Sequence, residues 1–298
     1  VIVVTGATGF VGRHVVEAWL DRGEEVACLV RGPAPELAEL PGVLLRRWQD
    51  VHDWRGLRPT AVVHLAAAGV QPAGREPTAL EAGNRQLTLS LLEVARDWPL
   101  QAFVHVGSCA EYGRVGPELV REDRSAPRPE ALSPYGAAKW QASLAALEFA
   151  KTHGLPLVVA RPFNVFGPGE APARLLPYLV GQLRRGQPAD LTPGTQVRDF
   201  VYVADVAEAL LALSEADLPD PTVVNVCSGR GHSVREVVDR MAALLGAPVE
   251  LLRWGALPAR GDEPPVLVGD PTRLQALTGW RPRTPLDAAL VRFLEAHG

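Results

Sequence analysis

The sequence predicts an α/β chain built on a doubly wound parallel sheet. Apolar runs of strand length alternate with helical stretches through the first half, and a glycine-punctuated turn joins the first run to the first helix. Beyond Arg161 the alternation loosens and prolines multiply, from Pro162 through Pro193, so the regular winding ends there. Strand and helix in strict succession are the signature of right-handed βαβ units, which bury both faces of a parallel sheet.

Each element follows from local chemistry. Ile2 to Thr5 reads as a buried strand and Phe10 to Arg22 as a helix, with Gly6, Gly9 and Gly12 between them. Such a turn lets main-chain N–H groups approach a pyrophosphate at a helix N-terminus, and its last glycine allows close helix–sheet packing. Further strands are expected near residues 25–30, 43–47, 61–66, 102–107 and 156–161. A helix beginning near Asn84 precedes the fifth strand. Another begins at SPYGAAKW, where Ser133 is a good N-cap and Pro134 suits the first helical position. That helix runs to Lys151 and stops around Gly154 and Pro156.

The chemistry gathers on three residues. Tyr135 and Lys139 are four apart, hence on one helix face. A lysine ammonium beside a phenol favours the phenolate, which suits a tyrosine that exchanges a proton with a sugar hydroxyl or carbonyl near neutral pH. Ser108 follows the apolar strand FVHVG at its carboxyl end, where open parallel sheets present their chemistry. Its hydroxyl can donate to the same substrate oxygen that the tyrosine protonates.

These motifs resemble the extended short-chain dehydrogenase/reductase family, over essentially the whole chain. The resemblance implies a Rossmann-type cofactor domain formed by residues 1–162 and about 195–227. It also implies a smaller α/β substrate-binding domain formed by about 163–194 and 228–298, with the active site in the cleft between. In GATGFVG, the cofactor loop would be Gly6, Gly9, Phe10, Val11 and Gly12, with Asp50 and Val51 as the adenine-contacting pair. Leu65, Ala66 and Ala67 in HLAAA would line the cofactor, and Ser108, Tyr135 and Lys139 form the catalytic triad. Pro162 and Asn164 in ARPFNVFGPG would contact cofactor and substrate respectively. Arg174, Arg198 and Arg260 would serve the sugar nucleotide, although ARGDEP departs from the usual spelling around Arg260. Guanidinium forks match diphosphate oxygens bidentately. Within the family the carboxyl third is similar to the reductases of GDP-linked 4-keto-6-deoxymannose, and the sequence GSCAEYG agrees, with Glu111 as a substrate contact.

The triad serves a 4-ketoreductase and a nucleotide-sugar 4-epimerase alike. Arg31, at the end of the second strand, stands where an acid would bind the ribose hydroxyls of NAD. An arginine there meets the 2′-phosphate of NADP, joined by Arg13, or else it is simply exposed at a strand end. NADP(H) is therefore the favoured cofactor, with NAD(H) as the alternative. A 4,6-dehydratase needs an acid/base pair directly after the serine or threonine, and here those positions hold Cys109 and Ala110. A non-catalytic NADP-sensing protein is the remaining alternative, and retention of all three catalytic residues speaks against it.

Composition bounds the rest. The 47% hydrophobic content is ample for a packed core, and a formal charge of −4 gives no hint of a nucleic-acid partner. Cys28, Cys109 and Cys227 have no paired spacing, as in a reduced cytoplasmic protein, and the seven histidines show no metal-ligand spacing. Neither a leader nor an apolar stretch of ~18 residues marks secretion or a membrane partner. The segment from Gly113 to Pro134 is long, polar and proline-bearing, and a mobile loop over the active site is expected there. The Ala- and Leu-rich helices around Asn84 and Tyr135 would pair across a two-fold axis, so a homodimer is expected.

Overall fold

Strands of the first half are apolar at consecutive positions because both faces of their sheet are covered. The computed structural model describes residues 1–53, 58–67, 77–123, 132–259 and 264–297. The chain runs β1 (Ile2–Thr5), α1 (Phe10–Leu20), β2 (Val26–Val30), α2 (Pro35–Ala38), β3 (Val43–Arg47), β4 (Ala61–His64), α3 (Pro77–Ala95), β5 (Ala102–Val106), α4 (Pro134–His153) and β6 (Leu157–Pro162). It continues β7 (Asn164–Phe166), α5 (Leu175–Arg184), β8 (Ala189–Leu191), β9 (Val197–Tyr202), α6 (Val203–Ser214) and β10 (Thr222–Val226). The last elements are β11 (Gly231–Ser233), α7 (Val234–Leu244), β12 (Leu252–Trp254), β13 (Val266–Leu267), α8 (Thr272–Thr278) and α9 (Leu286–Glu295).

The main sheet has seven strands in the order β3-β2-β1-β4-β5-β6-β10, all parallel. This is the Rossmann-type doubly wound topology. Winding reverses between β1 and β4, which places a ligand crevice beyond their carboxyl ends. Alternate side chains feed different cores. Ile2 and Val4 face the side covered by α1 and α6, while Val3 packs with Phe103, Leu91 and Ala146 on the side of α3 and α4.

A second sheet joins β11, β9 and β13, with β7 also paired to β9, and β8 pairs with β12. Its core (Phe166, Leu179, Val237, Met241 and Phe293 among others) is separate from the two beneath the main sheet. All six strands expected from the sequence form. The seventh, β10, was not anticipated, because its apolar run TVVNV is short and follows Pro219 and Pro221. Helix α3 starts at Pro77 rather than near Asn84.

Candidate active site

The glycine turn comes first. Gly6 holds φ at 69°, and a Cβ there would lie 2.8 Å from the main-chain nitrogen of Ala66. At Gly12 a Cβ would collide with the Gly6 carbonyl. The turn therefore presses α1 against β1, and against the 65–66 segment after β4, as only glycine allows. Gly9 caps α1 without any side-chain acceptor, and the first turn holds no acid. The helix N-terminus is left for an anion, and a dinucleotide pyrophosphate fits that requirement.

The wall beside it is built by Thr5 and His64. The Thr5 hydroxyl accepts the Ala66 N–H (3.0 Å) and donates to His64 Nδ1 (2.7 Å), which leaves the imidazole proton on Nε2 to reach Thr88 Oγ1 at 3.2 Å. Burial holds His64 neutral, pushing it down to about 3. These contacts fix Leu65, Ala66 and Ala67 beside the turn. The sequence placed His64 only at the start of the cofactor-lining segment HLAAA and assigned no role to Thr5 or Thr88; the signal was a polar side chain ending the apolar run AVVH.

The proposed triad converges from β5 and α4. Ser108 caps the 3₁₀ turn Cys109–Tyr112, and its side chain stands close enough to the Tyr135 phenol to lower its hold on the proton. Helix α4 begins as expected: Ser133 Oγ accepts the Gly136 N–H at 3.1 Å, Pro134 follows, and Gly154 closes the helix in the left-handed region at φ 67°. Gly136 lets α4 sit on the serine turn, since a Cβ there would lie 2.5 Å from the Ala110 carbonyl. Tyr135 as a whole is 38% exposed, so solvent reaches the cleft it lines. Desolvation at its hydroxyl end pushes the phenol up to about 12, opposed by the Ser108 side chain. Lys139 is 6% exposed and donates to the Val106 carbonyl at 2.9 Å. Burial pulls its ammonium down to about 8, with Glu111 pulling the other way.

Several expected residues take other places. Glu111 is not a substrate contact: it is fully buried, its Oε2 bound to Arg161 Nε at 2.8 Å. Arg13 has a neighbour other than Arg31, since its guanidinium packs against Gly169 in the turn after β7. Arg31 lies exposed at the end of β2. Arg198 is buried, with Nη1 donating to the carbonyls of Val197 and Pro264, and its charge acts on Cys109. Arg174 is exposed at the N-cap of α5, reaches Glu170 Oε1 at 3.5 Å, and acts electrostatically on Tyr135. Asn164 opens β7, and Pro162 ends β6. Asp50 is exposed in the 3₁₀ turn Trp48–Asp53 that also contains Val51. Arg260, Ala68 and residues 124–131 of the expected mobile loop lie outside the described residues, as does the Val51 side chain. The thiol of Cys109 is pushed up to about 12 by burial, so it supplies no acid/base group where a dehydratase keeps one.

Residues 2–227 match the model of the NAD dependent epimerase/dehydratase family. The chain belongs to that family. Among the relatives of this epimerase/dehydratase chain is the GDP-6-deoxy-D-mannose reductase of Pseudomonas aeruginosa, 30% identical over 307 residues, covering 98% of this chain and 95% of that protein. The UDP-glucose 4-epimerase of Streptomyces lividans is 31% identical over 315 residues, covering 97% and 93%. Of solved structures, MoeE5 in complex with UDP-glucuronic acid and NAD is 31% identical, with a TM-score of 0.86 over 99% of this chain and 98% of that one. This epimerase/dehydratase member is thus an NAD(P)-dependent oxidoreductase of the extended short-chain type, from a group that modifies nucleotide sugars.

Proposed function

We propose that the protein reduces the 4-keto group of a nucleotide-diphosphate 4-keto-6-deoxyhexose, the GDP-linked sugar being favoured by likeness to the reductase of P. aeruginosa. The observation that carries this reading is the placing of the Ser108 side chain against the Tyr135 phenol, with buried Lys139 one helical turn away beside an uncapped glycine turn. A bound nicotinamide supplies the hydride. Tyr135 gives its proton to the sugar carbonyl oxygen, and the Ser108 hydroxyl donates to the same oxygen as negative charge builds there. Lys139 then stabilises the phenolate left behind. Arg174 and Arg198 are proposed to serve the diphosphate together with Arg260.

A 4-epimerase is the second reading, favoured by the similar identity to the epimerase of S. lividans. Incubation with NADPH and a panel of 4-keto-6-deoxy sugar nucleotides separates the two. Stoichiometric loss of reduced-nicotinamide absorbance supports the reductase, and interconversion of sugars without net consumption supports the epimerase. A folded protein that does neither with any of them overturns both readings.

NADP(H) is the proposed cofactor, since β2 ends at Val30 and is followed by Arg31-Gly32, with no acid to bind a ribose diol. Arg31→Asp is then expected to move the ratio of efficiencies from NADPH toward NADH by tenfold or more (~1.4 kcal/mol or greater). An unchanged ratio removes Arg31 from the 2′-phosphate. The same reading makes residues 1–162 with about 195–227 the cofactor domain, supported by the separate core of the second sheet.

A further inference from the structure

Glu111 is fully buried, yet both of its oxygens are engaged. Oε1 accepts the Ser108 main-chain N–H at 2.8 Å and the Ser143 hydroxyl at 3.0 Å, while Oε2 accepts Arg161 Nε at 2.8 Å. Room for the carboxylate is made by Gly107, where a Cβ would collide with Glu111 Oε1. Arg161 is itself held, its guanidinium 4.5 Å over the Tyr112 ring, and the Tyr112 hydroxyl donates to Asn225 Oδ1 at 2.6 Å. One anion is thus gripped from the end of β5, from α4 and from β6.

A pair with Arg161 would need one oxygen only, and an apolar pair of similar volume would avoid the desolvation of two ions. The other oxygen is committed to the residue whose hydroxyl meets the Tyr135 phenol. The geometry points to Glu111 as a positioning residue, a fixed anion that clamps the main chain of Ser108 and sets the field at Lys139 and Tyr135 from behind the cleft. This rests on the reading that those three side chains carry the chemistry. The groups facing Lys139 are Glu111 and the buried, neutral His64 and His105; those facing Tyr135 are Cys109, Glu111 and Arg174. Among them Glu111 raises the affinity of both for protons. Replacing it by glutamine should lower both.

The chain permits a test that needs no substrate, because Lys139 and Lys151 are its only lysines. With lysine labelled by ¹³C at Cε, two resonances titrate, and Lys151→Arg assigns them. The Lys139 midpoint of the parent is expected near 8. In Glu111→Gln it should fall by about half a unit or more as the facing charge is lost. An unmoved midpoint in a folded variant overturns the proposal. If the single change leaves Arg161 too costly to bury, Glu111→Gln with Arg161→Met removes both charges and predicts a smaller fall in the same direction, the nearer anion outweighing the cation. On whichever sugar nucleotide the parent turns over, kcat of the Gln variant should drop roughly tenfold or more, with the KM for the nicotinamide cofactor held, as for a misplaced oxyanion donor. An unchanged kcat also overturns it. Should the folded parent turn over no sugar nucleotide, the functional reading falls while the lysine titration still decides the role of Glu111.

Discussion

Among the proposed catalytic side chains, Tyr135 has the most to lose from a single atom. Tyr135→Phe removes the proton carrier beside Ser108 but leaves the ring and the fold. Turnover is expected to fall by about 10²–10⁴-fold, with cofactor affinity nearly unchanged in a binding titration. Loss of less than tenfold would take the tyrosine out of the chemistry. Glu170 makes a separate prediction. Its side chain is 8% exposed, and burial raises its carboxyl from 4.5 to about 7 against the pull of Arg174. A raised carboxyl favours folding fully below pH ~4.5, and that benefit drains away as pH climbs through ~7. Glu170→Gln should therefore gain on the parent between those values, by up to about 3 kcal/mol as an order of magnitude. Thermal melts across pH check this; a difference independent of pH would refute it. At this scale the proposed triad was legible in the sequence, since the Tyr–Lys spacing and the strand-end serine are local. Glu111 was misread, because spacing within a 3₁₀ turn does not say which side chains point inward. Arg161, Tyr112 and Asn225 were invisible for a related reason: their partners are distant in the chain, and only packing brings them together.

Among the elements, α4 matters most for positioning. Its buried face is largely alanine (Ala137, Ala138, Ala142, Ala145, Ala146 and Ala150), so the helix lies close to the sheet and to α3. Both ends were legible from Ser133-Pro134 and Gly154, because caps depend on adjacent residues alone. What could not be read was how near α4 comes to the serine turn. Gly136→Ala tests that approach. The added methyl would press on the Ala110 carbonyl, which is main chain and cannot swing aside. We expect a stability loss of about 1–3 kcal/mol in urea unfolding and a fall in turnover beyond what unfolding explains. Parent-like turnover would mean that the contact does not register the triad. Strand β10 marks the opposite limit of legibility. Five residues between a proline-rich turn and a glycine carry too little pattern to stand out, yet they complete the sheet and bring Asn225 to Tyr112.

For the molecule as a whole, the chain passes more than once between two assemblies of strands, and Asp199 ties one of the crossings. Asp199 in β9 accepts main-chain N–H groups of Ser228, Gly229 and Gly269 and the Ser228 hydroxyl, tying the segment after β10 to the second sheet. The order of strands in the sheet was not legible in the sequence, since pairing between distant segments leaves no mark within either one. Among the described residues no helix is long and apolar enough to cross a membrane. Self-association through α3 and α4 is proposed, and Leu144 on α4, 40% exposed, would lie in the shared face. Leu144→Glu should then convert a dimer to a monomer in sedimentation, with the melting temperature of the folded chain little changed. A parent that sediments as a monomer, or a variant that still pairs, would discard that arrangement.

The unequal burial of the two lysines has a practical consequence. Lys139 is enclosed, whereas Lys151 stands in the open at the far end of α4, about 18 Å along the axis. An amine-reactive ester at mild pH would find a single lysine to acylate. With the α-amine blocked beforehand, molecules tethered to a sensor surface through it would all hang in one orientation, each with its cleft at the same height above the support.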